Sequence, residues 1–381
     1  MLKIGFDAKR FFWNSTGLGN HSRSTVHGLA RFHSDTLAIH LYSPKVNQKR
    51  LDQDPFRDRY QIHTPRPSFA RLGWREWGVV RQLREDRLNL FHGLSAELPL
   101  GIEKTSIVPV VTIHDLVAEL QPRLFPMIDG QVYRMKMRSA VHRARLVLVT
   151  SDATRQSVLE LYGKNPAQVK TLYQSPAEVF LEPKSDEQVQ RALKKHHLPD
   201  RYLLSVGSVI ERKRLRSTIR ALGSPRLRKD APPLVVIGHL GSPYAREAQQ
   251  DVRELGLESK VLFRPEVTHE DLPAITQGAV ASLYPSVFEG FGIPIAEALF
   301  SGVPVVTSKF SCLPEVVGPG GLCVNPDDGD EYAHAIERML SDSELRAQII
   351  ERGRKHAQKS FEPKALADKL FSYYREAIAS G

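Results

Sequence analysis

Cysteine is nearly missing from this chain: two thiols, Cys312 and Cys323, in 381 residues. They form no Cys-x-x-Cys pair and no metal-type spacing. Their scarcity excludes a disulfide scaffold and a cysteine zinc centre, and it fits a reducing compartment. Long apolar runs are missing too. None approaches the roughly 18 uninterrupted residues of a spanning helix, which argues against an integral membrane protein. The start, Met1-Leu2-Lys3-Ile4-Gly5-Phe6-Asp7, lacks the charged, apolar and small-residue regions of a secretory signal. Acidic residues are in deficit, 43 against 53 Lys and Arg, for a net charge of +10. The deficit is local. Residues 1–180 hold 26 basic and 16 acidic side chains, whereas residues 181–381 hold 27 of each. The first half is therefore expected to meet something anionic, whether nucleic acid, an acidic lipid surface or a phosphorylated substrate. No nucleic-acid module is recognisable, so nucleic acid is the poorest fit.

What is present is the alternation of an α/β protein. Short, unalternated runs of Val, Ile and Leu suit parallel strands buried on both faces. They fall at Lys3–Asp7, Leu37–Tyr42, Leu88–His92, Val108–His114 and Leu146–Ser151, then at Tyr202–Val206, Leu234–Gly238, Val261–Phe263, Ala281–Tyr284 and Val303–Ser308. Helical patterns lie between them, among them Asp152–Tyr162, opened by Ser151-Asp152, and Asp330–Leu340. The length exceeds one hydrophobic core. The expectation is two doubly wound, parallel-sheet, Rossmann-like domains facing a cleft. The first covers residues 1–178 and the second residues 179–362, with a terminal helix over 363–381 packing back on the first.

The most informative stretch runs from Pro285 to Ala298. Gly290 and Gly292 give a side-chain-free turn, Pro294 suits the start of a helix, and the helix N-terminus favours phosphate. Glu297, placed in the first turn, is expected to be ionised and to bind adjacent hydroxyls such as those of a ribose. Glu289 would reach a neighbouring sugar hydroxyl. This segment resembles the E-x7-E signature of the group 1, GT4-type retaining glycosyltransferases with the GT-B fold. The resemblance extends through Gly302–Ser308 and Leu313–Gly318. It implies that Glu289 lies by the donor sugar, that Phe291, Gly292 and Ile293 meet the sugar and phosphates through their backbone, and that Glu297 holds the ribose.

Gly207 to Lys213 follows a strand and ends in adjacent cations. A departing diphosphate gathers negative charge, which Arg212 can meet with two parallel bonds and Lys213 as a point charge. The stretch looks like the family's G-x4-R-K element. Asp52-Gln53-Asp54 and Asp328-Gly329-Asp330 read as solvated loops, the second capping a helix. No His/Asp/Glu cluster has metal spacing, so neither a metal nor another cofactor is expected.

In the first half, the turn Asn14–Asn20 resembles the family's glycine loop, with Gly17 and Gly19 against the diphosphate and acceptor. Thr112-Ile113-His114-Asp115 resembles its T-x-H-D element, whose His points at the donor sugar, while Asp115 binds substrate or simply orients the loop or caps a helix. Arg71, Trp74, Arg75, Trp77, Val80, Arg81 and Arg84 mix aromatic and basic residues at helical spacing. A buried Trp stripe with solvated Arg is expected there, and an anionic membrane contact is the alternative. Phe11, Phe12 and Trp13 suggest an exposed cluster.

The resemblance implies a metal-independent, retaining hexosyltransferase with His114, Arg212, Lys213 and Glu289 in catalytic positions. Its donor would be a nucleotide-diphosphate sugar, GDP-mannose first, and its acceptor a glycan or lipid-linked glycan of bacterial-type polysaccharide synthesis. The expected place is the cytoplasm, with peripheral attachment to the inner membrane face. Phe263-Arg264-Pro265 stands where the family often has Gly, which leaves the nucleotide base open. A nucleotide-sugar epimerase, a sugar phosphorylase and a non-catalytic nucleotide-sugar-binding protein are the rival readings. A glycosidase fits less well, because its carboxylates must face each other across a sugar.

Overall fold

Runs of Val, Ile and Leu form the inner strands of two parallel sheets in the computed structural model, which describes residues 1–65, 73–124 and 127–380. The first sheet contains β1 (Leu2–Asp7), β2 (Leu37–Tyr42), β3 (Tyr60–His63), β4 (Leu90–Gly93), β5 (Val108–Ile113), β6 (Leu146–Val149) and β7 (Val169–Thr171), in the order β3-β2-β1-β4-β5-β6-β7. The second contains β8 (Leu203–Val206), β9 (Leu234–Ile237), β10 (Val261–Phe263), β11 (Ala281–Tyr284), β12 (Val305–Ser308) and β13 (Gly321–Val324), in the order β10-β9-β8-β11-β12-β13. All pairings between them are parallel. Both sheets grow outwards in two directions, from β1 and from β8, the doubly wound plan.

The chain divides into two compact units, Met1–Ser175 with Glu362–Gly381, and Pro176–Phe361. Three strands lie outside the apolar runs of the sequence: β3, β7 and β13, all at sheet edges. Their segments, Tyr-Gln-Ile-His, Val-Lys-Thr and Gly-Leu-Cys-Val, carry polar or small residues because an edge strand is shielded on one side only. β6 stops at Val149, and Ser151 instead caps the helix Asp152–Tyr162, its Oγ accepting from the Thr154 N–H at 3.1 Å.

The last helix, Pro363–Ala379, belongs to the first unit and packs on the helix Gly17–Phe32. Leu370, Tyr374 and Ala377 enter the same core as Ile4, Phe6 and Leu29. The buried Tyr374 hydroxyl lies 2.6 Å from His92 Nδ1, and His92 Nε2 lies 2.8 Å from Thr112 Oγ1. Burial pushes His92 down to about 3, so the ring is neutral and both its nitrogens are satisfied. No helix among the described residues is long and apolar enough to cross a membrane.

Candidate active site

β9 and β10 lie on one side of β8, and β11 to β13 on the other. Loops leaving two such neighbouring strands diverge and open a crevice at their carboxyl ends. The loop after β8 carries Arg212 and Lys213, and the loop after β11 carries Glu289, so chain topology brings the two motifs together. The loops are joined by hydrogen bonds. The Val287 N–H donates to the Arg212 carbonyl at 2.9 Å, Ser286 Oγ lies 3.1 Å from the same carbonyl, and Arg212 Nη1 donates to the Phe288 carbonyl at 2.8 Å.

Four donors converge on one oxygen of Glu289. Oε1 lies 2.5 Å from Arg212 Nη1, 3.1 Å from Lys213 Nζ, 2.7 Å from Ser286 Oγ and 3.0 Å from the Tyr284 hydroxyl. Oε2 has no protein donor among the described residues. Burial alone would raise this carboxyl. Lys213 and Arg212, with the bonds from Arg212 and Ser286, outweigh it and hold the group at about 2. Glu289 is therefore a carboxylate at neutral pH, unable to serve as a proton donor, and its Oε2 can accept from a hydroxyl. Lys213 also donates to the Tyr284 hydroxyl, and Nζ sits 4.6 Å from that ring's centre. Burial lowers the ammonium, with Arg212 adding to the shift and Glu289 opposing it. A Cβ on Gly207, at φ +137°, would stand 3.3 Å from Lys213 Nζ, so the glycine makes room for the lysine.

Downstream, Gly292 turns the chain at φ +99° into the helix Ile293–Phe300, with Pro294 in its first turn. Cys312 Sγ bonds the carbonyls of Glu289 and Phe291, both at 3.2 Å, and Ser311 Oγ donates to the Glu289 carbonyl at 2.7 Å, which fixes the turn from behind. The Phe291 side chain is core, edge-on to Phe361 at 5.3 Å. Glu297 departs from expectation. It is the fifth residue of the helix, beyond the first turn, and only 7% exposed. Burial raises its carboxyl to about 7, and no protein donor among the described residues reaches it. The helix end does not hold it ionised; a ligand's hydroxyls would.

Gly17, Gly19, His114 and Asp115 belong to the other unit. Asn14 Oδ1 organises the glycine turn, accepting from the Thr16 N–H and Oγ1, each at 2.8 Å, and from the Gly19 N–H at 3.1 Å. A Cβ on Gly19 would fall 1.9 Å from the Asn14 carbonyl oxygen, while one on Gly17 would meet nothing within 4 Å. Gly19 is thus required by the turn itself, and Gly17 borders open space. His114 Nε2 donates to the Leu94 carbonyl at 2.8 Å, so Nδ1 is the acceptor nitrogen, and the Gln174 side-chain amide lies 3.5 Å from it. Burial holds the ring down at about 4, Arg10 adding and the Leu94 bond opposing, so it is a neutral acceptor at physiological pH. His21, on the helix Gly17–Phe32, packs edge-on against it at 4.5 Å. Asp115 Oδ1 accepts from the Val117 N–H at 3.1 Å and so starts the next helix.

Tyr284, Ser286, Ser311, Cys312 and His21 complete these sites without having been singled out in the sequence. The first two directly precede the glutamate motif, which is the signal that could have found them. Four expectations need correction. Arg75 is not a solvated side chain, because it is half-buried and held in ion pairs with Asp7 and Glu97. Of the two tryptophans beside it, Trp74 is buried and Trp77 is exposed; Arg71 lies outside the described residues. Phe11 and Phe12 are core, leaving only Trp13 of that trio exposed. Asp54 is buried, 2.9 Å from His27 Nε2, rather than in a solvated loop, whereas Asp328 does cap its helix, accepting from the Glu331 N–H at 3.0 Å. Finally, the fold gathers a His/Asp group that linear spacing did not reveal: His40, His63 and Asp86.

Residues 186–356 match the family model described as glycosyl transferases group 1, and residues 15–174 match that of glycosyltransferase family 4. Over 367 residues the chain is 28% identical to the O-antigen chain mannosyltransferase B of Escherichia coli, covering 92% of this chain and 94% of the relative. It is 31% identical over 229 residues to the O-antigen chain mannosyltransferase RfbU of Salmonella typhimurium, 60% of either chain. The solved structure of Anabaena Alr3699/HepE in complex with UDP shares the fold with a TM-score of 0.75 at 19% identity, over 99% of this chain and 100% of that one.

Proposed function

Because this chain belongs to the group 1, GT4-type glycosyltransferases, with their GT-B fold of two parallel-sheet domains, we propose that it transfers mannose from a nucleotide-diphosphate mannose, GDP-mannose first, to a glycan or lipid-linked acceptor in the assembly of a bacterial polysaccharide. The transfer retains anomeric configuration and needs no metal. The relatives named above act in O-antigen synthesis by their names, which lends the epimerase and phosphorylase alternatives no support.

One observation carries the reading: Arg212 and Lys213 meet Glu289 Oε1 at the β8/β11 switch point, with Oε2 left over. As the bond to the leaving diphosphate breaks, its growing charge is met by Arg212, Lys213 and the N-terminus of the helix Ile293–Phe300. These groups are already positioned, so little reorganisation is needed. Glu289 Oε2 accepts a sugar hydroxyl and orients the ring, and the backbone of Phe291, Gly292 and Ile293 lines sugar and phosphate. Glu297 holds the ribose as a carboxylate. The glycine turn of Gly17 and Gly19 lies against the diphosphate and acceptor, and His114 against the donor sugar, where its Nδ1 accepts a sugar hydroxyl only in exchange for the Gln174 amide 3.5 Å away. Glu289 is too tightly paired to act as nucleophile, which supports a front-face displacement in which the leaving phosphate takes the acceptor's proton.

The test is a panel of nucleotide sugars offered with membrane-derived acceptor, the product's anomeric proton being read by NMR. Consumption of GDP-mannose with formation of an α-mannoside is expected. An inverted product, or turnover of another sugar alone, would replace the corresponding part of the reading.

A further inference from the structure

Apart from the transfer residues, the first unit holds a compact set of metal-type donors. His40 lies on β2, His63 ends β3, and Asp86 follows the helix Val79–Glu85. Parallel pairing places Tyr42 beside His63 and, two residues back on the same face, His40 beside Gln61. His40 Nδ1 is 3.0 Å from His63 Nε2, and Asp86 Oδ2 is 3.3 Å from His63 Nδ1. One donor atom from each of the three lies within 4.8 Å of the others.

We propose that His40, His63 and Asp86 form a binding site for a divalent transition metal, zinc by their chemistry, which fastens the edge strand β3 to β2 and to the helix Val79–Glu85. Two imidazoles and a carboxylate are a zinc-type donor set, and nitrogens about 2.0–2.1 Å from a tetrahedral ion stand about 3.3 Å apart. His63 presents Nε2 to His40 and Nδ1 to Asp86 and to Gln82 Nε2, the last at 3.3 Å, so on binding its ring turns to bring one nitrogen onto the ion with the other two donors. His40, only 2% exposed, has its Nε2 buried with no hydrogen-bond partner, while its Nδ1 faces His63, so the ring has a nitrogen to spare for an ion. The carboxylate is already supported. The Tyr42 hydroxyl donates to Asp86 Oδ2 at 2.6 Å, and Lys3 Nζ holds the backbone of the segment instead, donating to the Asp86 main-chain carbonyl at 3.1 Å. Supporting bonds of this kind orient the ligands of metal sites. The side chains of His63 and Asp86 are 15% and 25% exposed, which gives an ion and its remaining water ligand access. Binding displaces a ring proton to solvent and leaves the ion with one open position. The role is structural, separate from glycosyl transfer.

The experiment uses the full chain, free of any tag and stripped with chelator. Cobalt(II) is titrated by its visible absorption and then displaced with zinc, while calorimetry reads stoichiometry and a thermal melt reads stability. One ion per chain is expected, with a raised melting midpoint, and both effects lost in His63→Ala and in Asp86→Asn. Circular dichroism confirms that the variants fold. Should His63→Ala fail to fold, the more exposed Asp86→Asn carries the comparison. No saturable binding to the wild type, or binding that either folded variant retains undiminished, overturns the assignment.

Discussion

Lys213 Nζ stands 3.1 Å from Glu289 Oε1, and the two residues hold each other in the charged state inside a largely buried site. Removing the carboxylate should therefore do more than delete one sugar contact. Glu289→Gln leaves two adjacent half-buried cations without their counter-charge, so donor binding through the diphosphate is retained or strengthened while turnover falls. An uncharged side chain still accepts a hydroxyl bond but no longer fixes Lys213. Loss of about tenfold to a hundredfold in kcat is expected, of the order of one misplaced polar contact. Equal losses in kcat/KM and in donor affinity, with kcat intact, would assign Glu289 to simple binding.

Glu297 gives a pH signature. Its folded value, about 7, lies above the ordinary 4.5, so the ligand-free protein favours the protonated form. A carboxyl raised in this way contributes stability that is fully present below pH 4.5 and is lost as pH rises through about 7, a total of roughly 3 kcal/mol. Glu297→Gln removes that dependence, so at pH 8 the empty variant should melt higher than the wild type. If Glu297 takes the ribose hydroxyls as proposed, they donate to the carboxylate, so nucleotide affinity in the wild type should increase from pH 6 to 8, with a smaller rise in Glu297→Gln. Calorimetric titration with GDP at both pH values checks this; a flat wild-type profile removes Glu297 from the ribose.

Much of this was legible in the sequence, and the omissions have physical reasons. The inner strands announced themselves because a strand buried on both faces must be apolar throughout. The edge strand β3 did not, and with it went His63 and the grouping with His40 and Asp86, which depends on register rather than on spacing. Glu289 was visible from its turn, but its partners Lys213 and Tyr284 are 71 residues apart and meet only through sheet topology. The burial of Glu297 could have been read. Ile-Pro-Ile-Ala-Glu-Ala-Leu-Phe is apolar around its whole circumference, the mark of an enclosed helix.

The contact between His92 and Tyr374 ties the last helix to the first unit. Tyr374→Phe keeps the ring and leaves His92 Nδ1 buried without a partner. Destabilisation of about 1–3 kcal/mol is expected, read by urea unfolding of that unit. A variant as stable as the wild type would mean that water replaces the hydroxyl at no cost.

Transfer without a metal means that turnover at 25 °C survives EDTA, and that Mg²⁺ or Mn²⁺ added afterwards does not increase it. A chelator that lowers the melting midpoint but leaves the rate untouched fits the structural zinc site. Rate lost to EDTA and restored by Mg²⁺ contradicts metal-free transfer.

The basic first unit exposes Trp13, Trp77, Leu100 and Met135, with Arg81 and Arg84 exposed beside Trp77. Basic side chains at an anionic surface contribute about 1 kcal/mol each and are screened within a Debye length of about 8–10 Å. Co-sedimentation with phosphatidylglycerol vesicles at low salt, reversed by high salt and weakened in Trp77→Ala, is expected. Vesicles that fail to bind at low salt return these residues to an ordinary solvated face.

The pairing of Arg212 and Lys213 with Glu289 at the β8/β11 crevice is the centre of the account, and steady-state kinetics of Lys213→Ala and Arg212→Ala with the preferred nucleotide sugar test it most directly. Charge that develops on the leaving diphosphate is felt mainly in the transition state, so each variant should lose about 10²–10³ in kcat with a far smaller change in KM. Wild-type kcat in both variants would show that the leaving group departs elsewhere.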